Sequence, residues 1–261
     1  MISIGLSTWK NHPSLSENKQ DDLTLSQYSS FFPIVEIDSS FYGIPTQKTV
    51  TNWIKEVPND FQFVIKANQF MTFHKDEERM RNNLLELKKT FEDYKLMLEP
   101  LLESNQLKTV LFQFPPYFNN NLKNIRYLRQ IRLWMPKIPI TVEFRNKSWY
   151  SDNIQEDVAN FLASLKISLA IVDEPHNLNN GVPLIPKSNY SDLVFIRLHG
   201  RNEMGWARKE GNWRATRTLY RYNKQELETF ADFIKKLNQK NNEICIIFNN
   251  NSGRDAADNV N

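Results

Sequence analysis

Short apolar runs alternate along the chain with longer segments in which apolar positions recur at helical spacing. Such a run, when turn residues bound it, predicts a buried strand. We find eight of them, at 2–6, 34–38, 61–67, 109–114, 140–144, 168–173, 193–198 and 244–248. Helical spacing predicts helices at 23–32, 48–56, 80–103, 122–134, 154–165 and 224–241. This alternation indicates repeated βα units and a parallel sheet.

Eight strands with helices between them, in 261 residues, predict a (β/α)8 TIM-type barrel, which typically has about 250 residues. Two connections depart from the pattern. The segment 174–192 holds Pro175, Gly181, Pro183 and Pro186, so we expect an irregular connection there. Residues 249–261 have room for about two helical turns, which predicts a short or truncated final helix. Since no linker or repeat divides the chain, we expect one domain over 1–261.

Composition narrows the classes of protein that are possible. The single cysteine, Cys245, excludes an intrachain disulfide and a cysteine-rich zinc module, and it favours the cytoplasm. The seven glycines form neither a GxGxxG nor a P-loop pattern, which argues against these nucleotide sites. A net charge of +3 gives little preference for anionic partners. With no apolar run of about 18 residues and no signal peptide, we expect no membrane partner.

Along several predicted strands, polar residues occupy every second position and therefore share one side of the strand, which we call its parity. In the fifth strand Glu143 and Arg145 alternate with Val142 and Phe144. The same alternation applies to Glu36, Asp38, Lys66, Gln113, Asp173, Arg197 and His199. In a barrel one parity faces the lumen and opens at the carboxyl-terminal mouth, where catalysis takes place in this fold. The pattern predicts a polar pocket there, and the alternative is an internal ion-pair network that supports the fold.

Motifs along nearly the whole chain resemble the YecE-like family, also called domain of unknown function seventy-two. They are Ser7-Thr8-Trp9, Val35-Glu36-Ile37-Asp38-Ser39-Ser40-Phe41-Tyr42, Phe63-Val64-Ile65-Lys66-Ala67, Leu111-Phe112-Gln113-Phe114-Pro115-Pro116, Val142-Glu143-Phe144-Arg145 with Ser148-Trp149, Arg197-Leu198-His199-Gly200-Arg201, Tyr220-Arg221-Tyr222 and Phe248-Asn249-Asn250. The resemblance implies a TIM-type barrel in a bacterial or archaeal cytoplasmic protein and no assigned reaction. The family usually has a Gly-Trp turn after the first strand and a longer final helix, and this chain departs from both.

The predicted pocket suits an enzyme that acts by acid–base chemistry on a small polar or anionic ligand, such as a phosphorylated or sugar-like molecule. We predict Glu143 as the base, Lys66 or His199 as the acid, and Glu36 as a further catalytic group. Predicted ligand-binding residues are Arg145, Arg197, Gln113, Tyr42, Trp149, Asn249, Asn250, Asp173 and Tyr222. Trp149 fits equally well as a wall of the pocket or as a core anchor. The cofactor and the oligomeric state stay unknown, and a non-catalytic ligand-sensing barrel remains an alternative.

Other chemistries fit the sequence less well. A retaining glycosidase of the large barrel clan would have carboxylates after strands four and seven, where this chain has Gln113 and Arg197. A lysine beside carboxylates, as at Lys66, is more often ion-paired than a Schiff-base nucleophile. Possible metal ligands are Asp173, Glu174, His176 and His199. Histidine spacing typical of a metal site is absent from the sequence and we place His12 and His74 on surface loops, so we assign no metal.

The segment 200–222 supports an alternative function, the binding or processing of nucleic acid. It combines the cations Arg201, Arg208, Lys209, Arg214, Arg217 and Arg221 with the aromatic residues Trp206, Trp213, Tyr220 and Tyr222. Cations with interleaved aromatic rings bind phosphates and stacked bases. In the competing interpretation the aromatic residues pack on the barrel and the cations stay solvated.

Overall fold

A computed structural model of the chain describes residues 1–16, 23–177, 181–190, 192–207, 216–240, 243–252 and 255–260. Its strands are β1 (Ile2–Leu6), β2 (Ile34–Ile37), β3 (Gln62–Lys66), β4 (Leu107–Gln113), β5 (Ile140–Glu143), β6 (Ile167–Leu169), β7 (Ile171–Asp173), β8 (Val194–Leu198) and β9 (Ile244–Phe248). The α-helices in these ranges are α1 (Leu25–Ser29), α2 (Ser39–Tyr42), α3 (Gln47–Lys55), α4 (Glu77–Asn82), α5 (Leu84–Glu103), α6 (Leu122–Trp134), α7 (Gln155–Ser164), α8 (Glu203–Ala207) and α9 (Lys224–Asn238). Short 3-10 helices span Pro13–Leu15 and Lys147–Trp149.

The nine strands form one sheet in the order β6-β5-β4-β3-β2-β1-β9-β8-β7. The pairings of β1 with β2 and with β9, of β4 with β3 and with β5, and of β8 with β7 and with β9 are parallel. Since Ala170 alone separates β6 from β7, the two end strands of this order are consecutive in the chain. This is the strand order of a TIM-type α/β barrel with a divided sixth strand, which confirms the predicted fold class.

The division of the sixth strand corrects the prediction of one strand at 168–173. The Leu169 backbone N–H donates to the Asn189 Oδ1 atom at 2.7 Å. One residue earlier, the Ser168 hydroxyl donates to the Leu193 carbonyl at 2.9 Å. A side chain from the following connection thus binds a backbone group that a continuous strand would use in its ladder.

The predicted helix 80–103 is also two helices. Asn83 has a non-helical backbone (φ −113°, ψ 79°) between α4 and α5, and its side chain accepts from the Glu86 backbone N–H at 3.1 Å. An asparagine in this position caps the start of the second helix. The connection 174–192 is irregular, without helix or strand at 174–177 and 181–190, as predicted. After β9, residues 256–260 form turns, where the sequence predicts a short or truncated final helix.

Two compact units make up the chain, one from residues 1–35 and 168–261 and the other from residues 36–167. In the first unit the buried Tyr28 hydroxyl accepts from the Leu6 N–H at 2.9 Å and donates to the Ile34 carbonyl at 2.8 Å. It thereby joins the parallel strands β1 and β2. In the second unit every residue of β5 is buried, as expected of a parallel strand covered on both faces.

The single domain over 1–261 stays a prediction. Among the described residues, no helix combines the length and the apolar character that crossing a membrane requires.

Candidate functional site

The end of β5 in the 36–167 unit carries a buried carboxylate with charged and polar partners. Glu143 is fully buried. Gln113, the last residue of β4, donates its Nε2 proton to Glu143 Oε1 at 2.7 Å, and Arg145 Nη2 lies 2.6 Å from the same oxygen. The strand register sets Gln113 directly beside Glu143, so both side chains point to the same side of the sheet. The structure thus brings three predicted site residues into contact.

Lys66 ends β3 in the same unit and carries a largely buried positive charge. Its Nζ atom lies 3.1 Å from Asp38 Oδ1 and 5.0 Å from the centre of the Phe41 ring. The side chain of Lys66 is 13% exposed and that of Asp38 is 38% exposed. The Ser40 and Tyr94 hydroxyls donate to the Lys66 carbonyl at 2.7 Å and 2.9 Å. These bonds fix the backbone of the residue that carries the cation.

His74 also belongs to this region, although the sequence predicted only that it lies on a surface loop and gave it no role in the site. It does lie at the surface, yet its ring packs edge-on against Phe41 with the ring centres 5.0 Å apart. Partial burial of the ring, together with the nearby cations Lys66 and Arg145, lowers the pKa of His74 to about 4, and Glu143 partly opposes this effect. His74 is therefore neutral at neutral pH. Strand parity could not reveal it, because the residue follows β3 on a loop.

Three further predicted residues of this unit differ widely in exposure. Glu36 in β2 is fully buried, whereas Tyr42 at the end of α2 is 64% exposed. Trp149 is buried and stacks on Phe144, with ring centres 4.1 Å apart and planes at 7°. Its indole Nε1 donates to the Phe118 carbonyl at 2.7 Å. Of the two alternatives for Trp149, this placement favours the core anchor.

In the unit formed by 1–35 and 168–261, Asp173 at the end of β7 is the centre of a hydrogen-bond network. Arg201 donates to both carboxylate oxygens, with Nη2 to Oδ1 at 2.8 Å and Nε to Oδ2 at 3.0 Å. The Tyr222 hydroxyl donates to Oδ2 at 2.7 Å and accepts from the Gly200 N–H at 2.8 Å. Arg201 Nη1 also donates to Glu226 Oε1 at 3.0 Å. Asp173 and Tyr222, both predicted to bind the ligand, are thus bound to each other.

The tyrosines of this network hold their protons over the physiological pH range. Burial, followed by the negative charge of Asp173, raises the pKa of Tyr222 well above its ordinary value. Burial and a hydrogen bond to Glu226 raise the pKa of Tyr220 to about 12. Both hydroxyls therefore act as hydrogen-bond donors to carboxylates.

His199 and Asn249 form a second pair in the same unit. His199 is buried, and its Nδ1 atom lies 2.8 Å from Asn249 Nδ2. The Asn249 N–H donates to the Leu198 carbonyl at 2.8 Å, which fixes its backbone beside β8. Asn250 is buried and donates to the Tyr220 carbonyl and to Asn259 Oδ1, each at 2.8 Å. Arg197 in β8 is also buried.

The described cations of the segment 200–222 contact side chains of the protein itself. The Arg217 guanidinium carbon lies 3.6 Å from the centre of the Trp206 ring. Arg221 pairs with Asp255 at 2.7 Å and also with Asp258. The other residues named for this segment, Arg208, Lys209, Trp213 and Arg214, lie outside the described residues. What is described of the segment favours internal pairing over a free cationic surface.

Three of the four residues considered as metal ligands, Asp173, Glu174 and His199, contact other groups of the protein. Glu174 Oε1 accepts from the Val182 N–H at 2.9 Å. Among the described residues, no group of three or more His, Cys, Asp and Glu side chains is suited to a metal ion. The placement of His12 on a surface loop was wrong, since this residue is 1% exposed and its Nε2 atom lies 2.9 Å from the Thr8 carbonyl oxygen.

Strand order and polar strand ends together define an α/β barrel protein of TIM type. A profile of the family described as "Protein of unknown function DUF72" matches residues 3–261. The chain therefore belongs to the DUF72 family, in agreement with the YecE-like motifs.

Similar proteins are found in several bacteria. The UPF0759 protein YunF of Bacillus subtilis (strain 168) is 42% identical over 262 residues, which cover 99% of this chain and 92% of YunF. The solved structure of the DUF72 family protein EF0366 from Enterococcus faecalis V583 is 37% identical, with a TM-score of 0.92 and coverage of 99% and 92% of the two chains. The DUF72 family protein TM1631 from Thermotoga maritima MSB8 is 29% identical, with a TM-score of 0.80 and coverage of 99% and 96%.

Proposed function

We propose that the protein is a cytoplasmic enzyme that binds a small polar or anionic ligand at the strand ends and acts on it by acid–base chemistry. The observation that carries this proposal is the fully buried Glu143, held by Gln113 and Arg145 at 2.7 Å and 2.6 Å. Burying a carboxylate is costly, and an apolar replacement of a buried ion pair is often as stable. A function that needs the charge explains why it is kept there.

Each proposed role is supported by the position of the group. Glu143 is the proposed base, because it is a carboxylate at a strand end, where this fold places its catalytic groups. Lys66, whose ammonium is 13% exposed and pairs with a partly solvated Asp38, is the proposed acid. Arg145 is the proposed clamp for a carboxylate or phosphate group. The remaining proposed ligand contacts in this unit are Glu36, Gln113 and Tyr42.

The other unit supplies a second set of proposed groups. His199 is an acid–base group there, and Asn249, 2.8 Å from its Nδ1 atom, orients the ring. Arg197 and Asn250 are proposed ligand contacts. Asp173 and Tyr222 support them from within the Arg201 network. Because the described cations of 200–222 are engaged internally, no observation favours the nucleic-acid alternative over this proposal.

The test is the conversion of small molecules by the purified protein. A panel of sugar phosphates and short hydroxy acids is incubated with the full chain, and products are followed by mass spectrometry. We expect conversion by the wild type and a loss of about 10²-fold or more in Glu143→Gln, the typical contribution of a general base. Circular dichroism establishes that the variant is folded at the assay temperature.

The matched control is Glu103→Gln, which makes the same chemical change at an exposed position at the end of α5. This variant should keep the wild-type rate. A folded Glu143→Gln protein with full turnover would overturn the proposal. Binding of a panel compound that is never converted would also overturn it, in favour of a ligand-sensing barrel.

A further inference from the structure

We propose that residues 255–260 form a strap that closes over Asn250, just after the end of β9, and that this strap opens as a unit while the strands stay folded. Asn250 is a ligand contact in the function proposed above, so the inference concerns access to that site. The opening is measured on the free protein and does not depend on what the protein converts. All residues involved belong to the unit formed by 1–35 and 168–261.

The strap binds the backbone of Tyr222 through one side chain. Asn259 Nδ2 donates to the Tyr222 carbonyl at 2.9 Å, and Asn259 Oδ1 accepts from the Tyr222 N–H at 3.1 Å. Asn259 is 8% exposed. Its amide thus satisfies both backbone groups of Tyr222, as a neighbouring strand would do in a sheet.

The same side chain closes the strap over Asn250, which is fully buried. Asn250 Nδ2 donates one proton to Asn259 Oδ1 and the other to the Tyr220 carbonyl, each at 2.8 Å. In the closed strap, therefore, neither proton of this amide can reach a ligand. Opening withdraws Asn259, which releases one of the two protons and lets solvent or a ligand approach.

Two hydrogen bonds within the strap explain why it moves as a unit. The Asn259 N–H donates to the Asp255 carbonyl at 3.1 Å, and the Val260 N–H donates to the Ala257 carbonyl at 3.2 Å. Both bonds begin and end inside 255–260. They can persist while the contacts with the rest of the protein break.

Exposed ion pairs form the outer attachment of the strap. Arg221 Nε donates to Asp255 Oδ1 at 2.7 Å, and the guanidinium also pairs with Asp258. The Arg221 side chain is 60% exposed. Ion pairs at the surface contribute little to stability and are screened by salt. The outer attachment is therefore weak, and it responds to ionic strength.

The closed strap also leaves one buried group unsatisfied. Asn250 Oδ1 is buried and accepts no hydrogen bond within the part of the chain that the structure describes. A buried acceptor without a donor costs free energy comparable to a lost hydrogen bond. Once the strap moves away, water can bind this oxygen. Because opening removes that cost, we expect it to need far less free energy than unfolding of the whole protein.

The experiment is native-state hydrogen exchange of the full chain, followed by NMR. The Tyr222 amide reports on the strap because its acceptor is Asn259 Oδ1. We expect it to exchange about 10²-fold faster than the amides of β9, a strand that is buried throughout, and to depend little on low concentrations of urea. Equal exchange rates and equal urea dependence would overturn the inference, because the strap would then open only with the whole protein.

Variants of the outer ion pairs test whether the strap opens as a unit. The double substitution Asp255→Asn with Asp258→Asn leaves the bond between Asn259 and the Tyr222 N–H in place. It should nevertheless speed exchange at Tyr222 by about two- to fivefold at low salt. Arg221→Gln should have the same effect, and combining it with the double substitution should add nothing, since both changes break the same pairs.

Salt and a matched control complete the test. Raising the ionic strength from about 0.05 M to about 0.5 M should speed exchange at Tyr222 in the wild type and have little effect in the double variant. The control Asp232→Asn makes the same chemical change in an exposed ion pair on α9 and should leave this exchange unchanged. Exchange at Tyr222 that ignores the loss of Asp255 and Asp258 would refute an opening of the strap as a unit.

The two proposals fail in different ways. Local opening as described, in a protein that converts no compound, would overturn the proposed enzyme and keep the strap. Conversion that depends on Glu143, in a protein whose Tyr222 amide exchanges only by global unfolding, would overturn the strap alone.

Discussion

The substitution Tyr222→Phe removes one hydroxyl that satisfies two buried groups at once. That hydroxyl donates to Asp173 Oδ2 at 2.7 Å and accepts from the Gly200 N–H at 2.8 Å. Tyr222 is only 3% exposed, so water cannot readily take the place of the lost oxygen. The substitution otherwise keeps the ring and its packing on Phe230 and Phe248.

The expected loss follows from these two bonds. A hydrogen bond to a charged group contributes about 1.5–3 kcal/mol and a neutral one about 1 kcal/mol. Because Arg201 still binds Asp173, we expect the free energy of unfolding to fall by about 2–4 kcal/mol. For a chain of this size that corresponds to a decrease in melting temperature of about 5–15 °C.

The assay is urea unfolding at neutral pH, followed by circular dichroism and tryptophan fluorescence to verify a common transition. Tyr220→Phe is the matched control, since its hydroxyl binds Glu226 alone, at 2.7 Å, in a half-buried position. This control should lose about 1 kcal/mol or less. Equal losses in the two variants, or a loss below about 0.5 kcal/mol for Tyr222→Phe, would refute the reasoning.

Two further outcomes are expected. Gly200 has φ +81°, and a Cβ added there would lie 2.5 Å from Tyr220 Cβ. We therefore expect Gly200→Ala to lower the free energy of unfolding, measured in urea, by about 2–3 kcal/mol. Gly43 has open space around it, so the control Gly43→Ala should change this free energy by less than about 0.5 kcal/mol. For His74, the folded pKa of about 4 lies below the ordinary value, so the unfolded chain takes up the proton first as the pH falls. Between about pH 6.5 and 4 the wild type should therefore lose about 1–2 kcal/mol relative to His74→Gln, a screened value for a surface ring, and parallel stability curves would contradict this.

The spacing of apolar residues was enough to predict the fold class, because each βα unit has its own local sequence pattern. The predicted helix 122–134 and α6 coincide, and the predicted strand 244–248 is β9. The divided sixth strand could not be read in the same way. It is accompanied by a hydrogen bond between Leu169 and Asn189, twenty residues apart, and a local sequence pattern cannot predict such a contact.

The alternation of residues along the strands also predicted part of the candidate site, namely the contact between Gln113 and Glu143. In a parallel sheet, residues of equal parity at neighbouring strand ends lie side by side, which is how Gln113 meets Glu143. His74 lies on a loop that has no such period, so the same rule could not place it beside Phe41. Trp149 was ambiguous because a pocket wall and a core anchor need the same large aromatic side chain.

The sequence left the role of the cations in 200–222 open, because the acidic partners of Arg201 and Arg221 lie elsewhere in the chain. Arg221 pairs with Asp255 and Asp258, more than thirty residues later. Near His74, the two cations Lys66 and Arg145 are each paired with one carboxylate, so a count of charges gives zero. There the effects are unequal, because Lys66 and Arg145 lower the pKa of His74 and Glu143 raises it by less.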